Sequence, residues 1–314
     1  MSDSLASVQP RAIVTVASWE PRWTASSAAL VAENPGAALH VLYSTRYADW
    51  TADSRAAVLA TARSAGVAAV ETEVDLERPR TAWAAAVATA RAIGQANVKT
   101  TALDGTTMPR EITWFLLHAL NELGIDVDYA YVPAGTYGDW LSKESLQPRL
   151  VLKRSGILFP DKPTCVVAVS GFDLARLNQL VSFFEPARVE IARQIGERYD
   201  NLGRNAPHLS EYTRHARIFD FDSFDLSGAS YATLKSRIEP LVPEFNVLLA
   251  SLGPKASAVT AFEITTELPE VALVYIPSSS YNREYSKGQD MDRRAVRRVR
   301  SVRTENISST APST

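Results

Sequence analysis

Short apolar, β-branched runs alternate with amphipathic Ala- and Leu-rich stretches along the chain. In the first half, residues 12–17 (AIVTVA), 39–44, 67–74, 98–103 and 127–132 have the length and composition of buried strands. Helical spacing predicts helices over 24–33, 53–65, 80–93 and 109–123, the last three followed by Gly66, Gly94 and Gly124 as stop signals. The second half repeats the order. Strands are predicted over 164–169, 188–192, 218–222, 247–252 and 272–276, with helices over 174–184, 209–215, 229–241 and 257–268. Regular strand–helix alternation predicts parallel sheets covered by helices on both faces.

The two halves also match in detail. AIVTVASWEPR parallels CVVAVSGFDLAR, NVKTTALDGTTM parallels NVLLASLGPKAS, and DYAYVPAGTYG parallels ALVYIPSSSYN, in the same order and at nearly constant separation. Each fifth strand ends in Pro-x-x-x-Tyr, at Pro133 and Tyr137 and at Pro277 and Tyr281. These repeats predict an α/β fold of two tandem Rossmann-like parallel-sheet domains, internally duplicated. The expected division is a disordered leader (1–11), repeat 1 (12–138), a polar linker (139–161), repeat 2 (162–285) and a basic, Ser/Thr-rich tail (286–314). Between 293 and 303 the tail has several arginines and no acids. It reads as a frayed, solvated helix with a disordered end, or as a local anion- or nucleic-acid-binding segment.

Composition narrows the function classes. The chain has 314 residues, a formal net charge of -2 and a hydrophobic fraction of 46%. That length suits about two domains, and the charge gives no global attraction to nucleic acid or anionic membrane. Cys165 is the single cysteine, which excludes an intrachain disulfide and a Cys-rich zinc site. His40, His118, His208 and His215 are scattered without helical His-x-x-x-His spacing, so no metal is expected. No apolar run of about 18 residues and no secretory signal occur, so the expected location is cytoplasmic, with no membrane partner.

Chemistry is expected outside the carboxyl ends of the parallel strands, where helix N-termini offer free N–H groups and partial positive charge. After the first strands come Ser18, Trp19, Glu20, Pro21 and Arg22, with Gly171, Phe172, Asp173 and Arg176 as counterparts. Trp19 and Phe172 could stack on a base while Arg22 and Arg176 meet phosphate; equally, the acids and arginines could pair with each other. After the fourth strands come Asp104, Gly105, Thr106, Thr107, Met108, Pro109 and Arg110, against Leu252, Gly253, Pro254, Lys255, Ala256 and Ser257. Thr107 and Pro109 suit a helix cap and first turn. Arg110 sits in a first turn, where the macrodipole disfavours a cation. Two loops with a glycine followed by a cation point to a phosphate-bearing ligand. Tyr137 and Tyr281 are further ligand-binding candidates, able to stack or to cap the sheet edge. Neither a Walker A loop nor Gly-x-Gly-x-x-Gly occurs, which disfavours ATP hydrolysis and ordinary dinucleotide redox chemistry, and no cofactor is expected. The run 219–225 (FDFDSFD) reads as a strand plus a capping turn, with a two-carboxylate metal site as the alternative.

On LDGTTMPRE and SLGPKASAV, the chain resembles the CRISPR-associated Rossmann-fold (CARF) ligand sensors of prokaryotic antiviral defence. The resemblance covers the order of elements in both repeats, with motif identity limited to those loops. It implies a cyclic oligonucleotide lying across two paired Rossmann-like units, here both supplied by one chain, and a separately encoded effector protein. The chain departs from that group in lacking a recognisable effector domain, an Arg-x(4–6)-His ribonuclease motif and an (Asp/Glu)-x-Lys nuclease signature. Three readings remain. The first is a nucleotide-binding module in which Arg110 and Lys255 meet phosphates, Gly105 and Gly253 permit close approach, Thr106 and Ser257 donate hydrogen bonds, and Trp19 and Phe172 stack. The second is an enzyme acting on a nucleotide, as a phosphoesterase, ring nuclease or glycosidic-bond cleaver. Its candidate bases or nucleophiles are Asp104, which has no strict counterpart in repeat 2, and Glu20. The third is a structural subunit with vestigial pockets.

Overall fold

The computed structural model describes residues 12–138, 140, 142–171, 174–196, 209 and 216–301. The predicted leader, most of the predicted 209–215 helix, and Phe172 and Asp173 lie outside them.

The first half runs β1 (Ala12–Val16), α1 (Pro21–Glu33), β2 (Ala38–Tyr43), α2 (Ala48–Ser64), β3 (Ala69–Glu73), α3 (Pro79–Gln95), β4 (Thr100–Asp104), α4 (Arg110–Glu122) and β5 (Asp126–Tyr131). Short strands β6 (Thr136–Tyr137), β7 (Ser142–Ser145) and β8 (Arg149–Leu150) follow. The second half runs β9 (Thr164–Val169), α5 (Leu174–Phe184), β10 (Arg188–Gln194), β11 (Ala216–Phe221), α6 (Ala229–Ile238), β12 (Asn246–Ser251), α7 (Ser257–Glu267) and β13 (Ala272–Tyr275). It ends with β14 (Ser278–Tyr281), β15 (Ser286–Lys287) and β16 (Ala295–Val299).

One sheet has the order β16-β5-β4-β1-β2-β3 and the other, read in the same sense, β8-β13-β12-β9-β10-β11. Five strands of each are parallel, and the sixth is antiparallel at the β5 or β13 edge. The two halves therefore share one topology, and strand order reverses at β1/β4 and at β9/β12. Those switch points open a crevice at the carboxyl ends.

The sixth strands are exchanged. The segment after the first half supplies β8 to the second sheet, and the segment after the second half supplies β16 to the first. The same reciprocity joins β7 to β14 and β6 to β15. The expected frayed helix near 293–303 is thus a strand over Ala295–Val299. Three of its arginines meet acids remote in the chain: Arg294 pairs with Glu33, Arg297 with Glu263 at 2.8 Å, and Arg298 with Asp128 on β5. The pattern Ala-Val-Arg-Arg-Val fits an edge strand whose cations meet acids on its neighbours. The predicted strand over 67–74 is likewise an edge, β3, with four of its five residues exposed. Its alternation of acids explains why it does not bury.

Helices α4 and α7 are buried on nearly every face because they pack against each other between the sheets. One apolar cluster consequently joins both halves, with Trp114, Phe115 and Leu117 of α4 beside Val259 and Phe262 of α7. The Trp114 indole donates to the Ala258 carbonyl at 2.9 Å. This packing holds the start of α4 opposite the start of α7.

Two glycines of the predicted ligand loops serve close approach within the protein. A Cβ at position 105 would sit 2.1 Å from the ring of Tyr129, and one at 253 would sit 2.4 Å from the Ser170 carbonyl oxygen. Tyr129 is fully buried and cannot retreat. Gly105→Ala is therefore expected to destabilise the fold by about 2–3 kcal/mol, read as a lower denaturant midpoint with an unchanged slope.

Candidate functional site

The loops after β1, β4, β9 and β12 meet in the crevice between the halves and surround a cavity with two lobes. The larger, about 450 Å³, is lined from both halves, by Arg22, Tyr131 and Tyr137 of the first and Gly171, Phe224, Gly253 and Tyr285 of the second. The smaller, about 120 Å³, is lined mainly by the first half, with Trp19, Glu20, Tyr47, Thr107 and Glu111, and is closed by Tyr281 of the second. Arg110, Ser142, Arg176 and Lys255 face both lobes. The larger lobe alone falls in the size range of small-molecule sites.

Charge at the junction is mostly positive. Arg22 and Glu20 are both buried and form an ion pair at 2.8 Å. Arg22 also faces the Tyr131 hydroxyl and the Val132 carbonyl, each at 3.4 Å. Burial would raise the Glu20 pKa, but Arg22 and Lys255, with hydrogen bonds from Arg22 and the Ser286 hydroxyl, hold it below its usual value. Arg176 donates to the hydroxyls of Ser142 and Ser278.

Arg110 and Lys255 differ from Arg22. Arg110 is buried at the first position of α4 and donates to the Ser251 hydroxyl at 3.1 Å and to the Gly253 carbonyl. Lys255 donates across in the other direction, to the Thr107 carbonyl. Each cation of one half thus reaches the loop of the other. Neither makes an ion pair among the described residues. Neutral carbonyls and hydroxyls satisfy N–H groups without neutralising charge, so the site holds uncompensated cations in a low-dielectric setting. Burial drives the Lys255 pKa down to about 7; Glu20 opposes that shift, while Arg22 and Arg110 reinforce it. Burial and Arg176 also lower the pKa of Arg110.

Several sequence candidates sit behind the cavity wall. Asp104 is fully buried and lines neither lobe; it accepts hydrogen bonds from Ser26 at 3.0 Å, from Thr15 and Ser27 at 3.3 Å, and from the Thr106 amide at 3.1 Å. Burial raises its pKa against those hydrogen bonds. Thr106 bonds to Ser26 and accepts from the Val132 amide, both at 3.1 Å. The Ser257 hydroxyl lies 2.7 Å from that of Ser251 and 2.8 Å from the Pro254 carbonyl. Thr107 does not cap α4: the helix begins at Arg110, extended Pro109 is its N-cap residue, and the buried Thr107 hydroxyl has no hydrogen-bond partner among the described residues.

The aromatics divide between the lobes. Trp19 packs at centroid distances of 5.6 Å from Tyr47, 5.1 Å from Trp50 and 6.2 Å from Tyr281. Tyr137 lies 5.4 Å from Tyr285 in the larger lobe. Sequence reasoning missed Tyr47 and Trp50, although TRYADW follows the second strand with two aromatics and an arginine. It also missed Trp140 and Ser142, which reach the site only through the exchanged strands. Among the described residues no His/Cys/Asp/Glu cluster is arranged to hold a metal. Asp225 instead accepts from the Ser227 and Ser230 amides at 2.9 and 3.2 Å, the turn expected for the FDFDSFD run. No helix among the described residues is long and apolar enough to cross a membrane.

This architecture is that of an α/β protein with two parallel-dominated sheets. No family model matches the chain, and no curated protein matches it. Solved structures match at low identity. A universal stress protein from Archaeoglobus fulgidus DSM 4304 is 12% identical over 88% of this chain and 98% of that one, with a TM-score of 0.26. An NADP-dependent enzyme of E. coli is 11% identical over 93% of this chain and 70% of that one, with a TM-score of 0.26. A short-chain dehydrogenase/reductase, so described, from Burkholderia xenovorans is 14% identical over 85% of this chain and 96% of that one, again with a TM-score of 0.26.

Proposed function

We propose that the chain is a binding module for a nucleotide or cyclic oligonucleotide held between its two Rossmann-like units. The observation that carries this reading is the pair Arg110 and Lys255: two cations in the crevice, facing both lobes, with no carboxylate in ion-pair contact among the described residues. A phosphate there supplies the missing negative charge and accepts charge-assisted hydrogen bonds. Bases occupy the lobes, against Trp19, Tyr47 and Tyr281 on one side and Tyr137 and Trp140 on the other. The resemblance to CARF sensors extends the proposal to a role in prokaryotic defence, with the bound state read by a separately encoded effector.

Turnover is the second reading, and Glu20 favours it more than Asp104 does. Glu20 lines the smaller lobe and is held ionised by Arg22, whereas Asp104 is sealed behind the wall. Mass spectrometry of small molecules released on denaturing the purified chain tests the binding proposal. A phosphate-bearing nucleotide near equimolar amount is the expected result for wild type, with loss in Arg110→Gln. Release of equal amounts from Arg110→Gln counts against this site. Degradation of an added nucleotide panel that stops in Glu20→Gln would convert the module into an enzyme.

A further inference from the structure

Lys255 has surroundings unusual for a surface-derived lysine. It stands at the mouth of α7, facing both lobes, and its amine has one hydrogen-bond acceptor among the described residues, the neutral Thr107 carbonyl. The charged groups around it come from every packed element: Arg22 and Glu20 after β1, Arg110 at the start of α4, and Asp104 at the end of β4, with Tyr129 of β5 donating to its carbonyl at 3.0 Å. No ion pair among the described residues fixes the ammonium; Glu20 and Asp104 favour it from a distance, while burial and the Arg22 and Arg110 guanidinium groups disfavour it. The side chain is not sealed: it is partly accessible, and that access faces a cavity large enough for a small molecule.

We infer that Lys255 is a nucleophilic amine that forms an imine with a small aldehyde or ketone bearing a phosphate or carboxylate. Arg110 and Arg22 hold the anionic group, and the cavity admits the carbonyl carbon to the amine. The Nζ lone pair adds to that carbon while the carbonyl π pair moves to oxygen, which takes up the proton the nitrogen releases. The carbinolamine then loses its hydroxyl and the remaining amine proton as water, leaving C=N. No electrons enter or leave, and no further reactant is needed. At neutral pH an amine titrating near 7 is about half neutral, whereas surface lysines, ordinarily at 10.5, are almost wholly protonated and unreactive. This reactivity needs no nucleotide.

Pyridoxal 5′-phosphate is the probe, an aromatic aldehyde with a phosphate. The full chain is incubated with it at neutral pH, the imine is reduced with borohydride, and the labelled peptides are mapped by mass spectrometry. Lys255 is expected to label roughly tenfold faster than the other lysines, with a rate that levels off just above pH 7. Unphosphorylated pyridoxal is expected to label it more slowly, and Lys255→Arg to lose that label alone. Label spread evenly over exposed lysines, or a Lys255 rate still climbing toward pH 10, overturns the proposal. If nucleotide binds but this labelling fails, the binding module survives without the reactive amine. If labelling succeeds and no nucleotide binds, the reverse holds.

Discussion

Lys255→Met is expected to raise the thermal midpoint while abolishing anion binding. The amine is driven down to about 7 in the folded chain from an ordinary 10.5. Between those values the unfolded chain binds the proton and the folded chain does not, so wild-type stability rises with pH across that window. Below about pH 7 the folded chain bears the full penalty of a buried ammonium, and above 10.5 none. Methionine keeps the length and apolar stem and removes the penalty. The variant should therefore gain on the order of 1–3 kcal/mol below neutral pH, after allowing for the Thr107 carbonyl left without its donor, and the gain should fade toward alkaline pH. Melting curves of both proteins across pH measure this directly. A variant less stable than wild type at every pH would mean that Lys255 serves as a clamp between the halves. An empty cation site behaves in the opposite way, since it trades stability for the ligand that completes it.

The affinity for a phosphate-bearing ligand is expected to fall with rising pH for the same reason. A bound anion favours the charged amine, so binding takes up a proton wherever the empty site lacks one. Above about pH 7 the association constant should drop by up to about tenfold per pH unit, until the amine of the complex titrates as well. Lys255→Arg should flatten the profile, because guanidinium stays charged throughout. Calorimetry in buffers of different ionisation enthalpy gives the proton count. An uptake near zero in wild type above neutral pH would show that Lys255 does not meet the anion.

Much of the architecture was readable from hydrophobic period alone. The five strands of each half, their helices apart from that expected over 209–215, and the loops after β4 and β12 follow from short β-branched runs, glycine stops and the matched blocks. The odd position of Arg110 was visible in the sequence, since a cation in a first turn is disfavoured unless an anion meets it; its burial and the half-burial of Lys255 were not. What the chain pattern could not show was exchange. Strands β8 and β16 carry arginines, and each pairs only with a sheet edge built by the other half. Local sequence made 293–303 look like a solvated helix because its acidic partners, Glu33, Asp128 and Glu263, are remote in the chain. Trp140 and Ser142 enter the cavity through the same exchange. Asp104 was misleading in a different way: a carboxylate at a strand end has the position of a catalytic base, yet four donors enclose it and keep it from both lobes.

The cation pair also separates the binding reading from a merely structural one. A clamp needs N–H groups, which Gln keeps and Met lacks; an anion site needs charge, which both remove. Arg110→Met and Lys255→Met together should fold and yet bind nothing, because the apolar core between α4 and α7 already joins the halves.

The most direct measurement is a calorimetric titration of the purified wild-type chain with linear and cyclic oligonucleotides and nucleoside phosphates, repeated on the Arg110→Met/Lys255→Met variant. Saturable binding of one phosphate-bearing nucleotide, with a Kd of about 10 μM or tighter, lost in the folded variant, is the expected result. Equal affinity in both proteins, or no binding of the whole series to wild type, would contradict a nucleotide site between the two halves.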